Sequence, residues 1–223
     1  MNFPYPLLHE VWYWLSWCLW LPLVLLAAGR ARWARFGEEG GRFLNVWLAM
    51  IVVFILLWSM KAGIKPGLDL HLTGIMLFTL AFGPALAFLG LNLVFLGLTL
   101  NGAIGWQGFA LNALATAGIG VALATLIHRA VDRFFPRHFF IFIFLKGFFG
   151  AALTILGIGF FSVLLYGLDG AYDWNILLGE YFPPYLLLGF SEAWLSCMAL
   201  TLMVVYYPRW VVTFDDKVYL VGK

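Results

Sequence analysis

The sequence predicts an all-α polytopic membrane protein, a single helical bundle with about seven transmembrane helices, its N-terminus outside and its C-terminus inside. Of its 223 residues, 64% are hydrophobic and only 11% are charged. Residues 72–127 contain no Asp, Glu, Lys, Arg or His. A soluble domain must present charge to water, so a run of this length indicates a lipid bilayer. Aromatic residues make up 19% of the chain, and such rings are common where hydrocarbon meets headgroups.

Several other classes of protein are excluded by the same sequence. The net charge of +2, without a basic patch, argues against binding to nucleic acid. Cys18 and Cys197 both lie in apolar segments and outside any CxxC pair, so neither a disulfide nor a zinc motif is expected. The chain has no HExxH or GxSxG motif and no paired aspartates within spans, which argues against an enzyme.

The first two spans lie at about residues 11–29 and 43–60, separated by the basic loop 30–42. The first corresponds to roughly 28 Å of helix, enough to cross a bilayer. Because the arginines follow this apolar run instead of preceding it, we interpret it as an uncleaved span with its N-terminus outside. The whole chain, residues 1–223, is interpreted as one integral membrane domain.

The apolar segment 72–100 is too long for one span, at about 43 Å of helix. Gly83-Pro84 interrupts it and divides it into a short half, 72–82, and a longer half, 84–100. The short half would cover only about 17 Å, so we expect it to be steep or partly re-entrant. The remaining segments are three further spans and a cytoplasmic tail, at about 108–127, 138–168, 183–207 and 208–223.

Loop charges favour two crossings for the broken segment. With loop 30–42 inside, two crossings also place Arg129, Arg133 and Arg137 inside, in agreement with the positive-inside rule. The acidic loop after the sixth span then lies outside, and only Lys61 and Lys65 disagree. Seven crossings result, and they place His9, Asp69 and His71 at the outer face.

Two ionisable residues lie within predicted spans. Lys146 is roughly 12 Å of helix from the inner end of its span, and Glu192 is roughly 13 Å from the outer end of the last one. A charge in hydrocarbon is costly unless it is paired. We therefore expect Lys146 and Glu192 to form an ion pair that acts as a structural clamp; a transport or proton-relay role for Glu192 is the alternative. Small residues such as Gly118 and Gly120 predict close helix packing in the fifth span.

A candidate metal site lies at the front of the uncharged run. His71 follows Asp69 by two residues, and the carboxylate could orient the imidazole or supply an oxygen ligand. The N-terminal segment adds the amino group of Met1 together with His9 and Glu10. Imidazole suits nickel, cobalt, copper and zinc. The alternative for His71 is an interfacial histidine that hydrogen-bonds water and backbone groups.

The sequence resembles the cobalt/nickel energy-coupling-factor permease family (CbiM/NikM-like), over nearly the whole chain. The motifs that carry the resemblance are, in order, Asp69-Leu70-His71-Leu72-Thr73-Gly74, Phe82-Gly83-Pro84, Asn112 in a Gly/Ala-rich helix, and Glu192 in the last span. The resemblance implies a seven-helix component that captures a divalent nickel- or cobalt-type ion as substrate near the outer face of the bacterial inner membrane. It also implies ligands at the terminal amine, at a histidine in position two, and at His71.

The chain departs from this pattern at position two, where it has Asn2. His9 could replace the missing imidazole, Asn2 could supply only its backbone nitrogen, or this branch could have given up nickel and cobalt. Since no Walker A motif is present, separate coupling and ATPase proteins would supply energy from the cytoplasmic face. The alternative function is a non-transporting membrane subunit, or a metal-delivery factor, of a larger complex.

Overall fold

The structure is a computed structural model that describes residues 3–60, 62–63 and 65–219. In chain order its helices are α1 (Glu10–Arg30), α2 (Arg42–Ser59), α3 (Ile75–Phe82), α4 (Pro84–Leu100), α5 (Trp106–Phe134), α6 (Phe139–Asp169), α7 (174–181), α8 (Pro184–Tyr206) and α9 (Asp216–Tyr219). A two-residue antiparallel ribbon, β1 (Ala62–Gly63) with β2 (Asp69–Leu70), lies between α2 and α3. The prediction of an all-α membrane bundle is confirmed.

Five of these helices are long and apolar enough to cross a membrane, namely α1, α2, α5, α6 and α8. Their outward surfaces carry large apolar side chains, such as Trp14, Leu56 and Leu187, as expected for contact with lipid. The helices lie at the positions of the predicted spans, and the largest difference is that α5 continues to Phe134. The total of seven crossings and the outside position of the N-terminus stay predictions.

Helix α3 is short and central. All eight of its residues are buried. A helix of this size has a length of about 12 Å, too little to cross a bilayer. Gly83 ends the helix with φ 77° and ψ 163°, a conformation that residues with a side chain rarely adopt. Pro84 begins α4 at once, so the chain reverses here, and α3 packs against α4, α5, α6 and α8.

The bundle has two ends, each defined by the segments that meet there. We call the N-terminal end the one that contains residues 3–10, 65–74 and 170–183, where Tyr172 Oη donates to Pro66 O (2.7 Å) and Lys65 pairs with Glu180 (3.1 Å). We call the C-terminal end the one that contains Gly83, residues 31–41, and the tail, residues 207–219. The tail contacts α3 there through Val212 and Thr213.

The small residues of α5 permit the predicted close approach at one position in particular. A Cβ atom on Gly120 would lie 2.8 Å from Ile75 Cδ1 and 2.9 Å from Ile158 Cδ1, so α3 and α6 both contact the helix backbone there. At Gly118 the nearest atom would be 3.6 Å away, an ordinary contact. Gly120 is therefore the glycine that α5 needs in order to pack in the centre of the bundle.

Candidate functional site

The loop before His71 is held in place by buried contacts. Gly67 has φ 78°, and the side on which a Cβ would lie is filled by Leu7, Tyr166 Oη and Pro4. Tyr166, which is fully buried, donates from Oη to Gly67 O at 2.9 Å. The loop is thus fixed between the N-terminal segment and α6 before it enters the bundle.

His71 is buried, with 6% of its surface exposed. Its ring lies 5.1 Å from the ring of Trp58, and its Nδ1 is 3.1 Å from the carbonyl oxygen of Leu72. When Nδ1 carries the proton and donates to that carbonyl, Nε2 is the basic nitrogen that can bind a metal. Trp58 also donates from Nε1 to Thr73 O (3.1 Å), so one tryptophan restrains both the imidazole and the segment that follows it.

Glu192 accepts three hydrogen bonds from the residues just after His71. Its carboxylate accepts from the Thr73 N–H (2.8 Å), the Thr73 hydroxyl (3.0 Å) and the Gly74 N–H (2.5 Å). These N–H groups precede α3, where the chain has no intrahelical acceptors and the helix dipole favours a negative charge. Glu192 therefore anchors the end of the His71 loop to α8.

The predicted ion pair between Lys146 and Glu192 is wrong. Lys146 lies at the C-terminal end, where its Nζ donates to Asp132 (2.5 Å) and to Tyr219 Oη (2.9 Å) and lies 4.9 Å from the centre of the Phe142 ring. Helix length gives the depth of Lys146 but not the residue of a neighbouring helix that lies beside it. Helix α5 continues past the predicted end of its span and brings Asp132 beside α6.

The Lys146 cluster extends into the tail. Tyr219 Oη donates to Asp132 (3.1 Å), and the Tyr219 ring stacks on Phe214 with centroids 5.0 Å apart. Burial raises the pKa of Tyr219, so the phenol stays neutral and can both donate and accept. This cluster binds the tail to α5 and α6, and sequence spacing offered no signal for it.

Asn112 holds the N-terminal segment inside the bundle. Its Oδ1 accepts from Phe3 N (2.8 Å), and its Nδ2 donates to Phe3 O (3.2 Å) and Gly108 O (2.8 Å). Phe3 is fully buried and its ring stacks on Tyr166 at 5.0 Å. The sequence indicates Asn112 only through the family resemblance, and its hydrogen bonds to the backbone of Phe3 and Gly108 give it a physical role.

His9 lies at the surface of the bundle beside Asp169. Its ring is 77% exposed, and Nδ1 lies 2.8 Å from Asp169 Oδ1, an atom that also accepts from Trp12 Nε1 (2.8 Å). Within the described ranges, no three or more His, Cys, Asp or Glu side chains gather as a metal centre. The alternative in which His9 replaces the missing imidazole stays a prediction, and the contact of its ring with Asp169 places it at the bundle surface.

Asp69 is the first residue of β2, two residues before His71. Met1 lies outside the described residues. Asp69 has 9% of its surface exposed, and its Oδ1 lies 2.8 Å from the position that a Cβ on Gly63 would take. The β1–β2 ribbon thus carries the carboxylate two residues before His71. Glycine at position 63 is what leaves room for it.

Two buried threonine hydroxyls differ from the other hydroxyl groups on the helices. In the part of the chain that the structure describes, seven helical Ser or Thr side chains donate to the carbonyl four residues earlier, namely Ser59, Thr99, Thr125, Thr154, Ser162, Ser191 and Thr201. Thr79 and Thr116 have buried hydroxyl oxygens without a partner in the described part of the chain. Thr116 lies in a π-helical stretch of α5, Ala113–Gly118, one turn beyond Asn112.

Comparisons with known proteins agree on one family and one fold. The family described as CbiM, cobalt uptake substrate-specific transmembrane region, matches residues 2–210. The crystal structure of a truncated transition metal transporter aligns with TM-score 0.76 and 16% identity, over 92% of this chain and 99% of that one. A second transition metal transporter aligns with TM-score 0.74 and 17% identity, over 94% of this chain and 92% of that one. No curated protein matches the sequence.

Proposed function

The chain belongs to the family of cobalt uptake substrate-specific transmembrane regions, and we propose that it captures a divalent transition-metal ion at the N-terminal end of its bundle. It is accordingly a multi-pass membrane protein and a transporter component. The ion is its substrate, bound at one end and passed on to the other. Localisation to the bacterial inner membrane, with the N-terminal end outside, is part of this proposal.

The observation that carries the proposal is that Tyr166 contacts both the N-terminal segment and the loop of His71. Its ring stacks on Phe3, and its hydroxyl binds Gly67, four residues before His71. Phe3 and the loop that leads to His71 are therefore both held by the same side chain. Met1 is two residues from Phe3, a reach of at most about 7 Å along the chain.

We assign the ligands as His71 Nε2 and the amino group of Met1, with backbone nitrogen from Asn2. Asp69 is the nearest acidic side chain in sequence and supplies either an oxygen ligand or a negative charge that favours the cation. A set dominated by nitrogen suits nickel and cobalt, and also copper and zinc. We leave His9 out of this set because its ring is mostly exposed and its Nδ1 contacts Asp169.

The experiment is elemental analysis of detergent-purified protein after incubation with nickel, cobalt, copper and zinc in turn. We expect near-stoichiometric metal in the wild type and in His9→Ala, and background metal in His71→Ala. His9→Ala is the matched control, since it removes an imidazole from the same end of the bundle. Background metal in the wild type, or equal loss in both variants, would reject the site.

The role of the amino group needs a separate variant. Two extra residues placed before Met1 move the amine away while His71 is unchanged, and intact mass confirms the terminus of each preparation. We expect weaker metal binding by at least tenfold. Unchanged binding would show that His71 acts without the amine.

A membrane subunit of a larger complex is the second candidate function. It is favoured by Asn2 at the position where the family places a histidine, and by the packed tail beyond residue 210, where the family match ends. If the protein binds no metal but co-purifies with a defined membrane complex, this function replaces the first. Coupling and ATPase subunits at the C-terminal end are expected only for the uptake function.

A further inference from the structure

We propose that Val212 and Thr213 of the tail are positioning residues for the His71 loop, acting through helix α3 from the opposite end of the bundle. The proposal rests on the proposed function in that the positioned loop is the one that binds the ion. These two residues lie outside the part of the chain that matches the family.

The first support is that α3 is held at both ends by groups from distant parts of the chain. At its start, Glu192 binds the N–H groups of Thr73 and Gly74. At its end, Val212 N–H donates to Ala81 O (2.8 Å), while the N–H (3.3 Å) and hydroxyl (2.8 Å) of Thr213 donate to Leu80 O. The tail thus supplies donors to carbonyls that a helix end leaves unpaired.

The second support is that α3 is stiff enough to transmit a displacement. All eight of its residues are buried, and protein interiors are packed as densely as organic crystals. A glycine with positive φ stands on each side of the helix, Gly74 at 62° before it and Gly83 at 77° after it. The chain therefore turns sharply on both sides of α3, and the helix is the direct connection between the two sets of hydrogen bonds.

The third support is that the tail is itself fixed. Val211 and Phe214 are buried with Phe142 in the core at the C-terminal end, and Tyr219 binds Asp132 and Lys146. The N–H groups of Val212 and Thr213 therefore belong to a segment that is itself packed against the bundle. If the tail is displaced, the end of α3 loses its partners, and the start of α3 is the next point that can relax.

The test is hydrogen–deuterium exchange at Thr73 and Gly74 in ion-free, detergent-purified protein. Val212→Pro removes the N–H that binds Ala81 O. The extended backbone of Val211 (φ −104°, ψ 96°) accommodates a following proline. Asp216→Pro is the matched control, because it places proline in the same tail at the first position of α9, where proline is tolerated.

We expect Val212→Pro to raise exchange at Thr73 and Gly74 about tenfold, the effect of losing one net hydrogen bond, with no change in the control. Increased exchange confined to residues 80–83 would overturn the proposal, since the tail would then cap α3 only locally. If Val212→Pro does not fold, Thr213→Val, which removes the hydroxyl bond to Leu80 O, is judged by the same criterion with a smaller expected increase.

A double-mutant cycle on ion affinity distinguishes positioning from general destabilisation. If the tail acts through α3 and Glu192, Val212→Pro and Glu192→Gln weaken binding by factors that do not multiply, whereas independent effects multiply. Factors that multiply would contradict the coupling. Absence of ion binding in the wild type would reject the proposed function. The hydrogen–deuterium exchange at Thr73 and Gly74 would still decide whether the tail is coupled to the His71 loop.

Discussion

Glu192 and Lys146 are two buried charged residues that the bundle accommodates by different means. Glu192 is 2% exposed and bound by neutral donors, two backbone N–H groups and one hydroxyl at the start of α3. Lys146 is 1% exposed and bound by an opposite charge, Asp132, together with a phenol and two aromatic ring faces. The hydrogen bonds of Glu192 hold the loop that follows His71, and those of Lys146 hold the tail through Tyr219.

The difference decides what is left unpaired when each charged residue, or its partner, is removed. A carboxylate held by backbone donors cannot be removed without leaving those donors unpaired, because the backbone does not change with mutation. A lysine held by an aspartate depends on a side chain that can itself be mutated. The side chain of Asp132 is 26% exposed, so water can reach it if Lys146 is lost, whereas Lys146 has no such access.

The largest expected effect is that of Asp132→Ala. It leaves Lys146 buried without its carboxylate, which costs about 3–5 kcal/mol of unfolding free energy. Thermal unfolding in detergent measures the loss. Lys146→Met is the comparison variant, and we expect a smaller loss because the remaining Asp132 is partly hydrated. Equal losses in the two variants would contradict the asymmetry between the partners.

Glu192→Ala ranks next, with an expected loss of about 3 kcal/mol, since three donors lose their acceptor. Thermal unfolding in detergent again measures the loss. Ion binding should also weaken, because the loop after His71 is released. Glu192→Gln keeps one acceptor oxygen and should fold with a smaller loss. If this variant transports as well as the wild type, the proton-relay alternative for Glu192 is excluded.

Asn112→Ala should cost about 2 kcal/mol by removing the clamp on Phe3. It should also weaken ion binding, because the N-terminal segment is no longer held beside Tyr166. Asn92→Ala is the matched control: Asn92 is also buried and bonded, to Trp20 Nε1 and Phe88 O, but these bonds do not involve the N-terminal segment. We expect a similar loss of stability in the control and unchanged ion affinity.

The smallest effect, opposite in sign, is expected for Thr116→Val. The substitution removes a buried hydroxyl that has no partner in the described chain, so stability should rise by up to about 1 kcal/mol. Thr154→Val is the control, since Thr154 donates to Gly150 O, and it should lose about 1 kcal/mol. A loss at Thr116 equal to that at Thr154 would show that its hydroxyl has a partner.

The fold could be predicted from the sequence because the features that determine it each act within a single segment of the chain. Uncharged runs, the Gly83-Pro84 interruption and the small residues of α5 each act on their own segment, through the cost of placing charge in lipid or through helix geometry. The candidate site was predicted only in part. The sequence indicates His71 and Asn112 but not Trp58 and Tyr166, because aromatic residues make up 19% of the chain and do not stand out.

The sequence by itself determined the class of protein, the order of its helices, the break between α3 and α4, and the imidazole on which the proposed site depends. The tertiary structure alone decided the partners: Glu192 with Thr73 and Gly74, Lys146 with Asp132 and Tyr219, and His9 with Asp169. The physical reason is that hydropathy acts along the chain, whereas these hydrogen bonds join helices whose rotation and register depend on packing throughout the bundle.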